Sequence, residues 1–353
     1  MRVRTGVLAC PGARCHASAR VRLTDCPIAR SFRRISYQEQ QRQIDGTIHS
    51  PSARYGAGHT KHREQVMSDY NEQTLMEAVI KRVASTPDPR LRQIMTSLIK
   101  HLHGCVREVR PTWEELLAGI QFLTAVGQKC DDKRQEFVLL SDSLGVSMLV
   151  DLISYGKVGN ATESDLLGPA WIEAAPELPL GSNLAKHPSD GEPCVITGSV
   201  ASLDGTPLAG AVVDFWEADG DGFYDLQRPD GPNLRARLRT DASGQFWFRG
   251  VRPVSYGIPT DGPVGAMLRA TKRHKMRAAH LHFMISAPGQ ERLVTQLFVK
   301  GDPYLDSDAV FAVKESLVVD CERVESRYEA AKYQVEAPFD RLHYDFVLKP
   351  AQA

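Results

Sequence analysis

The sequence lacks a net charge, because its 353 residues contain 43 Lys and Arg and 43 Asp and Glu. It therefore has no overall field that attracts nucleic acid or an anionic membrane, and neither is expected as a partner. It also lacks any apolar run near the ~20 residues of a membrane-spanning helix, which excludes a transmembrane protein. Its seven cysteines form no CxxC pair. Reduced thiols and a cytoplasmic location are therefore expected.

The charge balance conceals a basic leader. Residues 1–66 contain eleven Arg and one Lys but only four acidic residues, and they show no sustained helical or strand period. The stretch has no apolar core of a signal peptide, although its Arg-rich composition also suits a transit peptide. We expect residues 1–66 to be disordered or to precede a true start at Met67, so that their deletion leaves stability and turnover unchanged.

The next region has a helical pattern. An apolar stripe at helical spacing runs from Leu91 to Leu102, and Thr112 stands where a helix N-cap is expected before Glu114 and Glu115. A further apolar stretch, residues 135–153, predicts one helix or a pair of helices. Together these patterns predict a helical N-terminal domain over residues 67–165.

After Gly156 the chain changes to short apolar runs separated by Gly and Pro. Such spacing is typical of a β-sandwich. In residues 244–249, Phe246 and Phe248 share one strand face while Trp247 takes the other. We therefore predict an α+β fold, in which the helical segment is followed by an antiparallel β-sandwich over residues 166–353.

Two His-x-His pairs carry different predictions. His280 and His282 precede Phe283-Met284-Ile285, and in a strand both imidazoles would point to one side, as metal ligands do. Buried, hydrogen-bonded histidines without a metal explain this pair equally well. His101 and His103 lie in a helical pattern, where two residues turn the side chain by about 200°, so they are surface or interface residues.

Two tyrosines follow predicted strands. Tyr224 lies in Gly222-Phe223-Tyr224-Asp225, and Tyr256 precedes Gly257-Ile258-Pro259. Residues at such turns are able to point into a pocket. Aromatic filling beneath a loop is the alternative, and it is the more common role of any single tyrosine.

Four segments, in order, resemble those of the intradiol ring-cleavage dioxygenases, and most of all the hydroxyquinol 1,2-dioxygenases, with catechol 1,2-dioxygenases next. They are CVITGSVASLDGTPLAGAVVDFWEADGDGFY, YGIPTDGPVG, RAAHLHFMIS and GDPYLDSDAVF. The resemblance runs from about Met67 to Leu348 and leaves out the leader.

The resemblance implies one non-haem Fe(3+) per chain, whose ligands correspond here to Tyr224, Tyr256, His280 and His282. It also implies that an aromatic diol binds this iron in place of Tyr256 and is cleaved by O2 between its two hydroxylated carbons. Arg277 matches the family's arginine that stabilises charge on the ring, and Gln296 matches a nearby glutamine. Without the resemblance, Arg277 reads as an exposed cation in a basic run.

The resemblance also implies a substrate pocket of eight residues: Leu139, Asp142, Leu166, Pro169, Ala170, Ile258, Pro259 and Val310. Asp142 stands where hydroxyquinol enzymes have an Asp and catechol enzymes an apolar residue. Gly257 stands where many hydroxyquinol enzymes have Pro, which is the more catechol-like choice. Hydroxyquinol is therefore the expected substrate, with catechol as the alternative.

The resemblance further implies a homodimer formed through the helical segment, with a phospholipid in an apolar tunnel there. An intramolecular core explains the Leu91–Leu102 stripe as well. The stretch from Gly198 to Trp216 also occurs in non-catalytic β modules, which is the competing function class. A zinc hydrolase fits less well, because tyrosine phenolates are unusual zinc ligands.

Overall fold

A computed structural model of the chain describes residues 70–131, 134–173, 175–229 and 231–351, apart from the side chain of Pro188. The expectations for residues 1–66 and for a start at Met67 lie outside the described residues. The chain divides into two compact units between Gln121 and Phe122. The domain boundary expected at residues 165–166 stays a prediction.

The first unit contains helices α1 (Thr74–Val83), α2 (Pro89–Val109) and most of α3 (Trp113–Gln128). Asp88 caps the N-terminus of α2, and its carboxylate accepts hydrogen bonds from the backbone N–H groups of Arg90 and Leu91 at 2.7 and 2.9 Å. The predicted cap at Thr112 is confirmed, since Thr112 and Glu115 each accept the other's backbone N–H.

The predicted apolar stripe of α2 lies on the surface of this unit. Leu91, Ile94 and Leu98 are each 48% exposed and Leu102 is 56% exposed, whereas Ile99 is buried. Within the first unit, an intramolecular core therefore does not account for the exposed residues of the stripe.

The second unit begins with the end of α3 and contains α4 (Glu136–Ser143), α5 (Val146–Ser154), α6 (Pro263–Ala270) and α7 (Arg327–Lys332). The prediction for residues 135–153 is resolved as a pair of helices, because Gly145 between them has a φ of 72°. Among the described helices none is by itself long and apolar enough to cross a membrane, and α4 and α5 meet that test only as a pair bent by 76°.

Most strands of the second unit belong to two sheets. The four-stranded sheet has the order β10-β11-β1-β4, the five-stranded sheet has the order β3-β2-β7-β8-β9, and β5 pairs with β6 alone. The strands are β1 (Pro193–Ser202), β2 (Val212–Trp216), β3 (Arg235–Arg239), β4 (Gln245–Val251), β5 (Tyr256–Gly257), β6 (Met276–Arg277), β7 (His280–Ser286), β8 (Leu293–Val299), β9 (Val318–Val319), β10 (Cys321–Val324) and β11 (Phe339–Leu348).

The predicted α+β class is confirmed, but the expectation of purely antiparallel sheets is wrong. Strand β1 runs parallel to β11, from Cys194 opposite Asp340 to Ser202 opposite Leu348, and β8 runs parallel to β9. A parallel pair cannot be closed by a tight hairpin and needs a long connection. The chain between β1 and β11 supplies such a connection. The alternation of apolar and polar residues within a single strand does not indicate which strands will pair in parallel.

Aromatic side chains fill the space between the two sheets. Phe215 of β2 lies 4.4 Å from Phe248 of β4, and Phe283 of β7 lies 4.9 Å from Phe346 of β11, measured between ring centroids. The alternation predicted for residues 244–249 is confirmed, because Phe246 and Phe248 are buried in this core and Trp247 is on the other face, only half-buried. Strand β7 is thus held at the centre of its sheet.

Candidate active site

The site is built on β7, the middle strand of the five-stranded sheet. Leu281, Phe283 and Ile285 face the core of the sandwich, as predicted. His280 and His282 point to the opposite face, where they are only 3% and 2% exposed. A central strand with neighbours on both sides fixes both imidazoles to the rigid part of the fold.

Two phenols meet the two imidazoles. The Tyr224 Oη lies 2.9 Å from the Tyr256 Oη and 2.9 Å from the His282 Nε2. The His280 Nε2 lies 3.5 Å from the Tyr224 Oη and 3.3 Å from the Tyr256 Oη. Of the two readings of the tyrosines, the structure therefore favours groups aimed into a shared site.

A tight turn after β2 carries Tyr224 to this position. The Asp219 carboxylate accepts hydrogen bonds from the backbone N–H groups of Asp221 and Phe223, at 3.0 and 2.9 Å. Gly222 has a φ of 83°, and a Cβ there would lie 2.5 Å from the Cβ of Tyr256. The turn therefore needs glycine both for its backbone angle and for the close approach of the second tyrosine.

A buried ion pair holds the other side of Tyr224. Asp225 accepts hydrogen bonds from the Nε and Nη2 of Arg235, at 2.9 and 2.6 Å. The Arg235 Nη2 also donates to the carbonyl of Ala170 at 2.7 Å. Because both charges are buried, this fork of hydrogen bonds fixes the backbone next to Tyr224 and ties it to the segment around Ala170.

The protonation states of the imidazoles suit a metal. Burial, followed by the charge of Arg277, lowers the pKa of His280 and of His282 well below the ordinary value, so both rings are neutral. The His280 Nδ1 lies 2.6 Å from the Ala278 carbonyl and donates to it, which leaves the lone pair on the Nε2 that faces the phenols.

The phenols require a cation to ionise. Burial raises the pKa of Tyr224 well above its ordinary value, and the neighbouring Tyr256 raises it further. Burial also raises the pKa of Tyr256, although the charge of Arg277 opposes this. In the described part of the chain no three His, Cys, Asp or Glu residues form a metal-binding group. Two neutral imidazoles and two phenols that ionise only against a cation fit a hard, highly charged metal ion.

Trp216 and Gly168 enclose the ring of His282 from two directions. The indole of Trp216 is stacked on the imidazole, with 5.0 Å between ring centroids and 9° between planes. Gly168 has a φ of 72°, and a Cβ there would lie 3.0 Å from the His282 Cε1. The imidazole therefore has little freedom to shift.

Arg277 and Gln296 lie beside the cluster of two tyrosines and two histidines. The Arg277 Nη1 is 3.1 Å from the His280 Nε2, and the Arg277 Nη2 donates to the Gln296 Oε1 at 2.9 Å. The Gln296 Nε2 donates to the Leu166 carbonyl at 2.7 Å. Arg277 is buried, so the reading of it as an exposed cation in a basic run is wrong.

Comparison with known proteins identifies the family. The profile of the Dioxygenase family matches residues 166–350, and the profile described as "Catechol dioxygenase N terminus" matches residues 88–162. A 6-chlorohydroxyquinol 1,2-dioxygenase from Cupriavidus pinatubonensis is 49% identical over 80% of this chain and 99% of its own length. The chain belongs to the intradiol ring-cleavage dioxygenase family.

Two solved structures relate this dioxygenase to the branches of its family. The hydroxyquinol 1,2-dioxygenase from Pseudomonas putida has a TM-score of 0.76 and 48% identity, over 79% of this chain and 99% of that chain. The catechol 1,2-dioxygenase from Acinetobacter radioresistens has a TM-score of 0.70 and 28% identity, over 80% and 94%. Members of the family use non-haem iron and act on aromatic diols with O2. The chain is an enzyme of this class rather than a non-catalytic β module.

The eight residues expected to line the pocket are found in several surroundings. Ala170 packs in one cluster with Tyr224 and Tyr256. The other apolar members, Leu139, Leu166, Ile258 and Val310, pack in or against the main core. Asp142 is half-buried, and Pro169 and Pro259 are exposed.

Asp142 is electrostatically linked to the site of the dioxygenase. Burial raises the pKa of its carboxyl group, while a hydrogen bond with Ser147 and the charge of Arg277 act in the opposite direction. The half-buried carboxyl group of Asp142 therefore lies near enough to Arg277 to be influenced by its charge.

Sequence reasoning missed three residues that shape the site. Trp216 and Gly168 enclose His282, and Asp308 forms a buried ion pair with Arg277. Asp308 lies within the segment GDPYLDSDAVF and so carried a signal, as the one acid of that segment followed by an apolar run. Gly168 carried only a Gly-Pro turn signal. The pair His101 and His103 lies on α2, as predicted.

Proposed function

We propose that this dioxygenase cleaves hydroxyquinol (1,2,4-trihydroxybenzene) with O2 between its two adjacent hydroxylated carbons. The product is 3-hydroxy-cis,cis-muconate, a tautomer of maleylacetate, within the breakdown of aromatic compounds in the cytoplasm. The cluster of Tyr224, Tyr256, His280 and His282 beside Arg277 is the observation that carries the reaction. Both oxygen atoms end in the product, so the reaction needs no NADH and no flavin.

One ferric ion per chain is the proposed cofactor, with those two tyrosines and two histidines as its ligands. Phenolate oxygens are hard, anionic donors that favour ferric over ferrous iron, and neutral imidazoles complete the set. When bound, this ion supplies the positive charge that draws both ring hydroxyls of the substrate into their ionised form and so activates the ring.

The side chains of the protein have separate roles. Tyr256 moves aside for the substrate and takes up a proton at its Oη. This movement is easier for Tyr256, in the two-residue strand β5, than for Tyr224, which is held by a hydrogen-bonded turn. Arg277 stabilises the negative charge that develops on the ring. Gln296 is joined to both Arg277 and Leu166 and so fixes one wall of the pocket.

Asp142 is the proposed determinant of substrate choice. The third hydroxyl of hydroxyquinol loses its water when the ring binds, and an unpaired buried hydroxyl costs about 1–3 kcal/mol. The Asp142 carboxylate supplies an acceptor for it. Catechol lacks this hydroxyl and leaves the carboxylate unpaired. Gly257, by contrast, is the feature of the sequence that favours catechol.

Relatives support the same choice. The two hydroxyquinol-type dioxygenases described above are 48–49% identical to this chain, against 28% for the catechol enzyme. A homodimer is also part of the proposal, formed through the exposed apolar face of α2, with a phospholipid held there.

The direct test is O2 uptake by the purified full-length protein, with hydroxyquinol and catechol measured side by side. We expect a red protein, since tyrosinate bound to Fe(III) absorbs visible light, and faster turnover of hydroxyquinol without added reductant. A colourless, iron-free protein with full activity would refute the metal assignment. Faster turnover of catechol would replace the proposed substrate by the alternative.

A further inference from the structure

The guanidinium of Arg277 is held from one side by Asp308. The Arg277 Nε donates to the Asp308 Oδ1 at 3.1 Å, and the Nη2 donates to the Oδ2 at 3.2 Å. Gln296 takes a second hydrogen bond from the same Nη2. The remaining nitrogen, Nη1, is turned toward the four proposed iron ligands and lies 3.1 Å from the His280 Nε2. Asp308 and Gln296, the hydrogen-bond partners of Nε and Nη2, therefore set the rotation of the guanidinium.

The ion pair between Arg277 and Asp308 is buried, with 5% and 4% of the two residues exposed. Burial acts to lower the pKa of Arg277, but the charge of Asp308 is the largest influence that keeps it above the ordinary value. Removing one partner of such a pair leaves an uncompensated charge. The planar fork of an arginine matches a carboxylate in a fixed direction, so Asp308 determines orientation as well as charge.

Asp308 is itself anchored in its loop. The Val310 N–H approaches the Asp308 Oδ1 at 3.5 Å, and the Phe311 N–H donates to the Asp308 carbonyl at 3.1 Å. Phe311 has a φ of 60°, an unfavourable backbone angle for a bulky residue that persists only where surrounding contacts enforce it. The carboxylate therefore has a contact with the backbone of its own loop in addition to its contacts with Arg277.

We propose that Asp308 is a positioning residue, which fixes the rotation of Arg277 so that its Nη1 points to where negative charge develops on the ring. This inference rests on the proposed ring cleavage and assigns Asp308 no contact with the substrate.

The test uses Asp308→Asn and Asp308→Glu in the iron-loaded, full-length protein. Asn keeps the size but turns an NH2 group toward the arginine donors, and Glu keeps the charge but displaces it by one methylene. We expect kcat for hydroxyquinol to fall about 100-fold in the Asn variant, as when one charge-stabilising donor is lost, with little change in KM. Iron per chain and the visible absorption band should stay as in the wild type.

The matched control is Asp340→Asn. Asp340 is a fully buried carboxylate that accepts from the Arg252 Nη1 at 3.0 Å and from the Arg323 Nη1 at 3.4 Å, two partly exposed arginines, and it lies on β11 in the other sheet. This variant should lower the melting temperature while kcat stays unchanged. A decrease in kcat of equal size in both variants would show that the loss of any buried carboxylate paired with arginine slows the enzyme, and would overturn the proposal.

A double variant separates positioning from a general loss of stability. In an Arg277→Gln background, replacement of Asp308 should lower kcat no further, because Asp308 acts through Arg277. A full additional decrease in that background would refute the proposal, as would wild-type kcat in Asp308→Asn. If the Asn variant does not fold, Asp308→Glu gives the same comparison. Absence of turnover in the wild type would instead refute the proposed function.

Discussion

Replacing Gly168 by alanine tests how strictly the position of His282 must be kept. The φ of 72° at Gly168 is unfavourable for alanine, at a cost of about 1–2 kcal/mol. For a domain of this size, each kcal/mol lowers the melting temperature by about 2–4 °C, so a decrease of about 2–8 °C is expected. Pro169 follows and restricts this backbone further, so the decrease should lie in the upper part of that range.

The new methyl group would also press on the imidazole. Its Cβ would lie 3.0 Å from the His282 Cε1, and Trp216 is stacked on the same ring, so His282 must tilt by a few tenths of an ångström. Metal–ligand distances are held to about ±0.2 Å. We therefore expect Gly168→Ala to lose much of its iron, and with it the red colour and the activity.

Gly289→Ala is the matched control, because Gly289 has a φ of 75° and nothing lies within 4 Å of an added Cβ. It should lose stability through the same backbone strain while keeping its iron. The assays are differential scanning calorimetry and iron per chain on both variants. Equal iron contents in the two variants would refute the reasoning that contact with His282, rather than strain, governs metal binding.

Three further predictions address the ligands, the substrate and the pH dependence of stability. Tyr224→Phe should abolish the visible absorption band and reduce bound iron, and an unchanged band would exclude Tyr224 as a ligand. Asp142→Ala should lower kcat/KM for hydroxyquinol about tenfold or more, the loss expected for a hydrogen bond to a charged group, and change that for catechol far less; equal losses would make Asp142 structural. Burial raises the pKa of Glu217 well above its ordinary value, so the folded protein keeps a proton there that the unfolded chain loses. The stability of the protein therefore falls as the pH rises from the ordinary pKa toward the raised one. Glu217→Gln should therefore be more stable than the wild type by an amount that increases from pH 5 to pH 8, measured by thermal melts; a stability difference that does not change with pH would contradict this.

Features that depend on neighbours in sequence were predictable. Alternation placed His280 and His282 on one face of a strand and the apolar residues on the other, and the cap at Thr112 follows from the acid three residues later. In both cases the deciding interaction lies within one strand or one helical turn. The local sequence pattern is therefore sufficient to predict both features.

Features that depend on distant parts of the chain were not predictable from pattern. The parallel pairing of β1 with β11 joins Cys194 to Asp340, and no periodicity reports which strands become neighbours. The approach of Gly168 to His282 is likewise a tertiary contact. The surroundings of Arg277 belong to this group too, since its basic sequence neighbours suggested exposure, while partners from β8 and the loop after it hold it in the interior.

The order of the two tyrosines and two histidines along the chain would make the proposed iron site a reporter of complete folding. Tyr224 and Tyr256 are 32 residues apart, and Tyr224 and His282 are 58 apart, so no short fragment contains all four residues. His282 reaches the phenols only when β7 has paired with β2, opposite Trp216. During refolding with ferric iron, the return of colour should therefore follow the closure of this sheet, which gives a label-free optical signal for a late step of assembly.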